Sequence, residues 1–489
     1  MPARAMSSPG PMSPASLPTM PPTPDVGRLL REHAAEAMAL NDHYLNPQLG
    51  RIVRMLGFDR VWTGGEGAHL IDSEGHRYLD LLCGYGVFGV GRNHPEVIAA
   101  LQETLAARTA NMPQLGVTVL AGALAEQLVS RAPDSIAAMV PANSGTEAVE
   151  AAIKIARAAT GRPRILYAEH AFHGLTLGAL SLNGGEEFRE GFGPLLPGAK
   201  AVPFGDLDAL ERELALGDVA AFVVEPVQGK GVNIAPEGYL KGAQERCHAA
   251  GALLCADEVQ TGIGRTGRFL ALEHWGVQPD LVTVAKALSG GFVPIGAVLA
   301  SREVFDRVFA GMERGGVRHG STFGGNDLAC AAALATLAVL DREALVERAE
   351  RLGALLLDLT KPLVERYEIV RDVRSLGLIW AIELGEPAGG ASRTVWRRLE
   401  RAQPGISAQL IIGPLFHEHR ILCQVAGHRM NVIKALPALV IEEAEIRRFA
   451  AALEEVVARA ERVPSAAARF GWQMARHAAR ARHRPAPVA

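Results

Sequence analysis

The chain has 489 residues, 48% of them hydrophobic, so it can bury a large core and hold more than one domain. A formal net charge of −3 gives no reason to expect nucleic acid or an anionic membrane surface as partner. Five scattered cysteines without a CxxC pair (Cys83, Cys247, Cys255, Cys330, Cys423) fit reduced thiols in a cytoplasm and speak against a disulfide framework or a zinc site. The longest apolar stretch, Leu328 to Leu340, is Ala-rich and short of a bilayer span, so it reads as a packed helix. The first residues lack a basic segment followed by an apolar one, and no secretory signal is expected.

Residues 1–24, rich in Pro, Met and Ser, bury too little apolar surface to offset ordering and are expected to be disordered. An amphipathic helical pattern runs from about Val26 to Asn46. Short strands follow over 58–82, with Asp72-Ser73-Glu74-Gly75 as a hairpin signal. Gly84 to Gly89 is a Gly/aromatic loop that reads equally well as a plain turn. Residues 95–132 are mostly helical, and Ala137 to Pro141 is a strand. Then Asn143-Ser144-Gly145-Thr146 turns into a strong helix from Glu147. The free amides of that helix start, with the hydroxyls of Ser144 and Thr146, make an anion site; simple helix capping uses the same geometry. The strand Ile165 to Ala168 ends in His170-Ala171-Phe172-His173-Gly174, where Phe172 can stack on a planar ligand or simply fill core. Val219 to Val224 is a further buried strand, ending at Glu225-Pro226-Val227-Gln228-Gly229-Lys230.

Residues 251–296 organise the rest. The strand Ala252 to Ala256 delivers Asp257 and Glu258, a Gly-rich turn follows, and the strand Leu281 to Ala285 delivers Lys286 before Ser289-Gly290-Gly291. With a helix expected between each pair of strands, the order argues a parallel sheet covered on both faces. Ligands of such sheets sit outside the carboxyl ends of the strands, so Asp257 and Lys286 project into one crevice. An amine and a carboxylate there suit pyridoxal phosphate: the lysine forms a Schiff base and the acid keeps the pyridine nitrogen protonated. The competing reading is a surface acid and a surface lysine that never meet. No metal cluster appears at ligand spacing.

After Gly296 come a short strand, a helix, the turn Arg318 to Asn326 and an Ala-rich helix. From about Asp341 the pattern becomes that of a smaller α+β unit. The expected divisions are a large domain over 85–330, a small one over 331–463, and a basic, flexible, solvated tail over 464–489.

Placed together, NSGTEAVEAAIKIAR, AFHG, VEPVQGKGV, ADEVQTGIGRTG, AKALSGG and STFGGN stand in the order and spacing of one family. From about residue 50 to 460 the chain resembles the class III aminotransferases of the ornithine, acetylornithine and putrescine type. The resemblance implies a fold-type I α/β transferase: a large, mainly parallel sheet with helices on both faces, plus a smaller α+β domain. It also implies pyridoxal 5'-phosphate as cofactor. Lys286 resembles the Schiff-base lysine that also shuttles the substrate proton. Asp257 matches the partner of the pyridine nitrogen. Ser144, Gly145 and Thr146 match the phosphate turn; Phe172 and Val259 match the two ring faces; His173 and Gln260 are further cofactor contacts. Thr322 resembles the residue that reaches the phosphate of a neighbouring subunit, which implies a homodimer with shared sites. Residues 25–84 are then expected to pack with the small domain.

Two positions depart from the ornithine-type pattern. Lys230 stands where those relatives have glutamate, and Lys434 where they have an arginine that grips a carboxylate. Lysine lacks the planar fork of arginine. Lys434, with Lys230, can bind a carboxylate as a point charge, the pair can serve another anionic group, or the substrates lack an α-carboxylate. A non-standard donor or acceptor is therefore expected, with an apolar keto or aldehyde compound as one candidate and Tyr85, Phe88 and Trp62 lining its route. His428 can touch substrate but reads more readily as a structural histidine. Aminomutases and racemases use the same lysine and aspartate and stay open as alternatives. A non-catalytic dinucleotide-binding or interaction protein lacks the GxGxxG it would need.

Overall fold

The computed structural model describes residues 25–113, 116–311 and 318–482, so the stretch expected to be disordered, 1–24, lies outside the described residues. The strongest apolar runs form the middle of a seven-stranded sheet. In chain order its strands are β1 (Ile136–Ala142), β2 (Arg164–Ala168), β3 (Ala199–Val202), β4 (Val219–Val224), β5 (Leu253–Asp257), β6 (Leu281–Val284) and β7 (Gly296–Ser301). They lie side by side as β1-β7-β6-β5-β4-β2-β3, with β7 antiparallel to both its neighbours and the other pairings parallel.

Every residue of β4, β5 and β6 is buried, as strands covered on both faces must be. Successive side chains enter opposite cores. Leu253 and Cys255 meet the helices Gly145–Thr160 and Arg302–Phe309, whereas Leu254 and Ala256 meet Tyr239–Ala249 and Asp327–Arg342.

The crossover from β5 to β6 corrects one expectation: it carries no full helix, only the 3-10 turn Ala271–Trp275. The cause is local. Ile263, Gly264 and Gly267 all take positive φ (57°, 85° and 84°), which a continuous right-handed helix cannot hold. Arg265, buried between them, donates instead to the carbonyls of Leu378 and Pro437. The crossover is thereby tied to the second unit.

That unit is antiparallel, built from Val370–Leu376, Ile379–Leu384, Val432–Ala435 and Gln424–Val425. A further sheet joins the two ends of the chain: Trp62–Glu66, His69–Asp72 and Arg77–Asp80 form a meander, and Ile421–Leu422 adds in parallel to its last strand. The hairpin sits at Asp72–Gly75, where the Asp72 carboxylate accepts the amides of Glu74 and His76. Phe58 meets Phe416 edge-on at 4.6 Å.

Two boundaries move. The helix Asp327–Arg342 runs unbroken through 330/331 and packs on Pro95–Ala107 and Val119–Val129, so it stays with the large sheet. Residues 463–482 are a 20-residue helix, not a flexible tail, and pack against Pro47–Leu56 and Gly390–Ala402. Val463, Ala466 and Phe470 form a helical apolar stripe that overrides the basic composition. Among the described residues no helix is long and apolar enough to cross a membrane.

Candidate active site

The parallel strands aim their carboxyl ends at one cleft of about 490 Å3. Lys286 and Asp257 both line it, together with Ser144, Gly145, Thr146, Phe172, His173 and Val259. The register of β5 on β6 sets Asp257 opposite Thr283, three residues before Lys286. The surface-acid reading therefore fails: Asp257 is buried, Lys286 is half-buried, and both line the cleft.

Asp257 is held by three donors. Thr283 Oγ1 and the amide of Val259 reach Oδ1 at 2.9 and 3.0 Å, and His173 Nδ1 lies 2.6 Å from Oδ2. Burial works against a charged His173, but the hydrogen bond and charge of Asp257, with help from Glu225, hold its pKa above the ordinary value. Lys286 shifts the other way. Its burial outweighs the charges of Asp257 and Glu225 and lowers its pKa, which favours the uncharged, nucleophilic amine. Lys286 also takes a φ of 42°, an unusual conformation for a lysine and one typical of functional positions.

Ser144 caps the helix Gly145–Thr160, its hydroxyl accepting the amide of Glu147 at 3.2 Å. The amides of Gly145 and Thr146 precede the first intrahelical bonds and so lack helical acceptors. Thr146 Oγ1 sits 2.7 Å from Thr176 Oγ1. The backbone is drawn tight here. A Cβ on Gly145 would lie 2.7 Å from Val259 Cγ1, and one on Gly174 (φ 128°) would lie 2.4 Å from Thr146 Oγ1. Phe172 and Val259 line the same cleft, and Phe188 meets Phe172 at 5.2 Å.

Glu225 is a residue that the motif reading passed over. It is buried at the end of β4, its pKa pushed up by desolvation, and it accepts the amides of Phe172 (3.0 Å) and Gly229 (2.8 Å). The available signal was positional: an acid at the carboxyl end of a buried strand, as at Asp257 on β5. Glu258 has a different task. Burial raises its pKa to about 7, and it binds the Thr261 hydroxyl and the Leu272 amide, fixing the crossover.

Other sequence-derived candidates lie apart from the cleft lining. Gln260 donates to the Tyr85 carbonyl at 3.0 Å, and the Tyr85 side chain is exposed. Cys83 to Gly86 all take positive φ, which makes that loop a left-handed turn. Thr322 is exposed on its turn. Trp62 does not line an apolar route: it packs on Tyr78 and Phe416 in a separate cluster. Phe88 lies under Gly291, with Arg92 over its ring at 3.9 Å. His428 is exposed on a turn.

Lys434 is buried, and its Nζ donates to the Gly229 carbonyl at 2.7 Å. Burial, then the charge of Lys286, bring its pKa down to about 8 against the opposing charge of Glu225. Lys230 is ion-paired with Glu187. Asp72, Glu74 and His76 bring ligand atoms within 4.8 Å of one another on the hairpin, where the Asp72 carboxylate already serves the turn.

These residues fit pyridoxal phosphate. The helix start offers free amides and hydroxyls to a phosphate, Phe172 and Val259 give apolar walls to a flat ring, and Lys286 offers an aldehyde an amine whose lowered pKa favours the uncharged form. Asp257 accepts three hydrogen bonds of the roughly four its oxygens can take, so it keeps room for a protonated ring nitrogen.

The family model described as Aminotransferase class-III matches residues 55–457. The chain is 35% identical over 445 residues to the aminotransferase PigE of Serratia sp. (strain ATCC 39006), covering 84% of this chain and 52% of that protein, about half its length. It is 44% identical over 332 residues to a putrescine aminotransferase of Pectobacterium atrosepticum, covering 66% of this chain and 70% of that one. Among solved structures it is similar to a Toxoplasma gondii ornithine aminotransferase that holds pyridoxal phosphate at partial occupancy in its active site. The TM-score there is 0.76 at 31% identity, over 89% of this chain and 97% of that one.

Proposed function

Because this chain belongs to the class-III aminotransferase family, whose members are pyridoxal-phosphate enzymes, we propose that it moves an amino group from an amine or amino acid to a keto or aldehyde acceptor through Lys286. The carrying observation is that Lys286 and Asp257, at the ends of adjacent strands, line one cleft with a capped helix start. When bound, the cofactor supplies an aldehyde that takes up amines and a ring that accepts electrons from the neighbouring carbon.

In this reading Lys286 provides the amine that holds the aldehyde and afterwards takes and returns the proton at the substrate carbon. Its lowered pKa supports both tasks, since a general base acts uncharged. Asp257 holds a proton at the ring nitrogen; His173 and Thr283 fix its carboxylate. Ser144, Gly145 and Thr146 bind the phosphate. Phe172 and Val259 exclude water from the ring faces. Gln260 follows Val259 of the cleft wall in the chain, and its side-chain amide donates to the Tyr85 carbonyl. Thr322, exposed on its own chain, reaches the phosphate of a second copy in a homodimer.

The substrate is non-standard in the same reading, because a buried lysine of lowered pKa replaces the arginine fork. The relative named for putrescine supports an amine donor. The test is a spectral titration of the cofactor-loaded protein with glutamate, ornithine, putrescine, alanine and an alkylamine. The expected result is that at least one donor bleaches the visible absorbance while an added keto acid or aldehyde gains the amino group. A visible band that no donor alters, or that survives Lys286→Ala, counts against the assignment.

A further inference from the structure

Lys230 is outside the cleft lining and does not stand free. Its ammonium is ion-paired with Glu187 and lies 5.9 Å over the Phe188 ring, and both partners are largely shielded, with side chains 10% and 24% exposed. A shielded pair is weakened far less by solvent than an exposed one. Burial works against a charged Glu187, yet the hydrogen bond from Lys230 holds its carboxyl below the ordinary range. Glu187 and Phe188 belong to one short helix, Glu186–Arg189, and Phe188 meets Phe172 on the cleft wall at 5.2 Å. The next residue back from Lys230 is Gly229, whose carbonyl takes the Lys434 ammonium and whose amide is held by Glu225. Two cations thus bracket one peptide beside the cleft, and one of them is already neutralised by a carboxylate of the same chain.

We propose that Glu187 sets the donor specificity of this site: its ion pair with Lys230 withdraws that cation from substrate, leaving Lys434 to meet a substrate carboxylate by itself. A dicarboxylate such as glutamate or 2-oxoglutarate needs a cationic partner for each end, whereas an amine, or an amino acid with a single carboxylate, needs one at most. The proposal rests on the reading of this cleft as the site of amino transfer. It predicts poor use of dicarboxylates and assigns that to Glu187 as much as to the lysines at 230 and 434.

The experiment compares cofactor-loaded wild type, Glu187→Gln and the charge-swapped double variant E187K/K230E, each with glutamate and with hexylamine as donor. In Glu187→Gln the freed Lys230 lowers the KM for glutamate, and the ratio of kcat/KM for glutamate to that for hexylamine rises roughly tenfold. In the swapped pair, which restores the neutral latch and guards against misfolding of the single variant, the ratio returns toward wild type. A Glu187→Gln ratio within about twofold of wild type overturns the latch, since a merely structural role changes both donors alike. Wild-type protein that transfers no amino group from any donor overturns the functional reading, and this one with it.

Discussion

His173 and Asp257 are joined at 2.6 Å in the floor of the cleft, both side chains buried, though 84 residues separate them in the chain. The bond orients Asp257 and raises the pKa of His173, and both effects can be measured. His173→Ala removes one of the three donors to Asp257, and kcat is expected to fall roughly 10- to 100-fold, as for other partners that orient a catalytic ligand. The linkage sign follows from the raised pKa. The folded protein binds this proton more tightly than the unfolded chain, whose value is near 6.5, so the stabilisation is fully present below that pH and is lost as pH rises through the folded value. Melting temperature against pH should fall across that window in wild type and fall less in His173→Gln.

Lys286 carries the chemistry in the proposed reaction. Lys286→Ala is expected to lower turnover by about a thousandfold or more, while phosphate-directed binding of the cofactor at the helix start persists. Turnover assays alongside cofactor content after gel filtration separate the two effects. Turnover near wild type would exclude Lys286 from the reaction.

Gly174 tests the phosphate cradle. Its φ of 128° is one that side chains avoid, and an added Cβ would sit 2.4 Å from Thr146 Oγ1. Gly174→Ala is expected to push Thr146 off position and weaken cofactor binding by about 1–3 kcal/mol, combining backbone strain with a lost contact. Fluorescence titration of the apoprotein reads this directly. Gly191, with no atom within 4 Å of the added Cβ and a φ of 81°, is the control for positive-φ strain without a clash.

Lys434 gives a pH signature. Its pKa is lowered to about 8, so burying it costs stability below that pH, and the cost fades as pH rises from about 8 toward the ordinary 10.5. Binding runs oppositely, because only the charged ammonium attracts a carboxylate. The KM for glutamate is expected to climb as pH passes about 8, a limb absent for hexylamine and absent in Lys434→Met. A glutamate profile flat across that range would remove Lys434 from carboxylate recognition.

The sequence carried the fold and the centre of the site well, for a specific reason. Strands β4 to β6 are buried on both faces, so they appear as continuous apolar runs, and the polar residues that end them are conspicuous. Asp257, Lys286 and the Ser144-Gly145-Thr146 turn are legible that way. Glu225, directly after β4, obeys the same rule. The helix 463–482 was hidden because basic composition dominates a window in which three apolar residues at helical spacing do the packing.

By itself, the order of residues determined a parallel-sheet enzyme with an acid and a lysine at neighbouring strand ends, because periodicity and strand-end chemistry are local properties. Only the tertiary structure decided which charges remain available. Lys230 reads as a free cation until Glu187 is seen beside it, and Lys434 reads as an ordinary lysine until its burial and its bond to Gly229 lower its pKa. Charge state depends on desolvation and on partners distant in the chain, and neither is written in the spacing of residues along it.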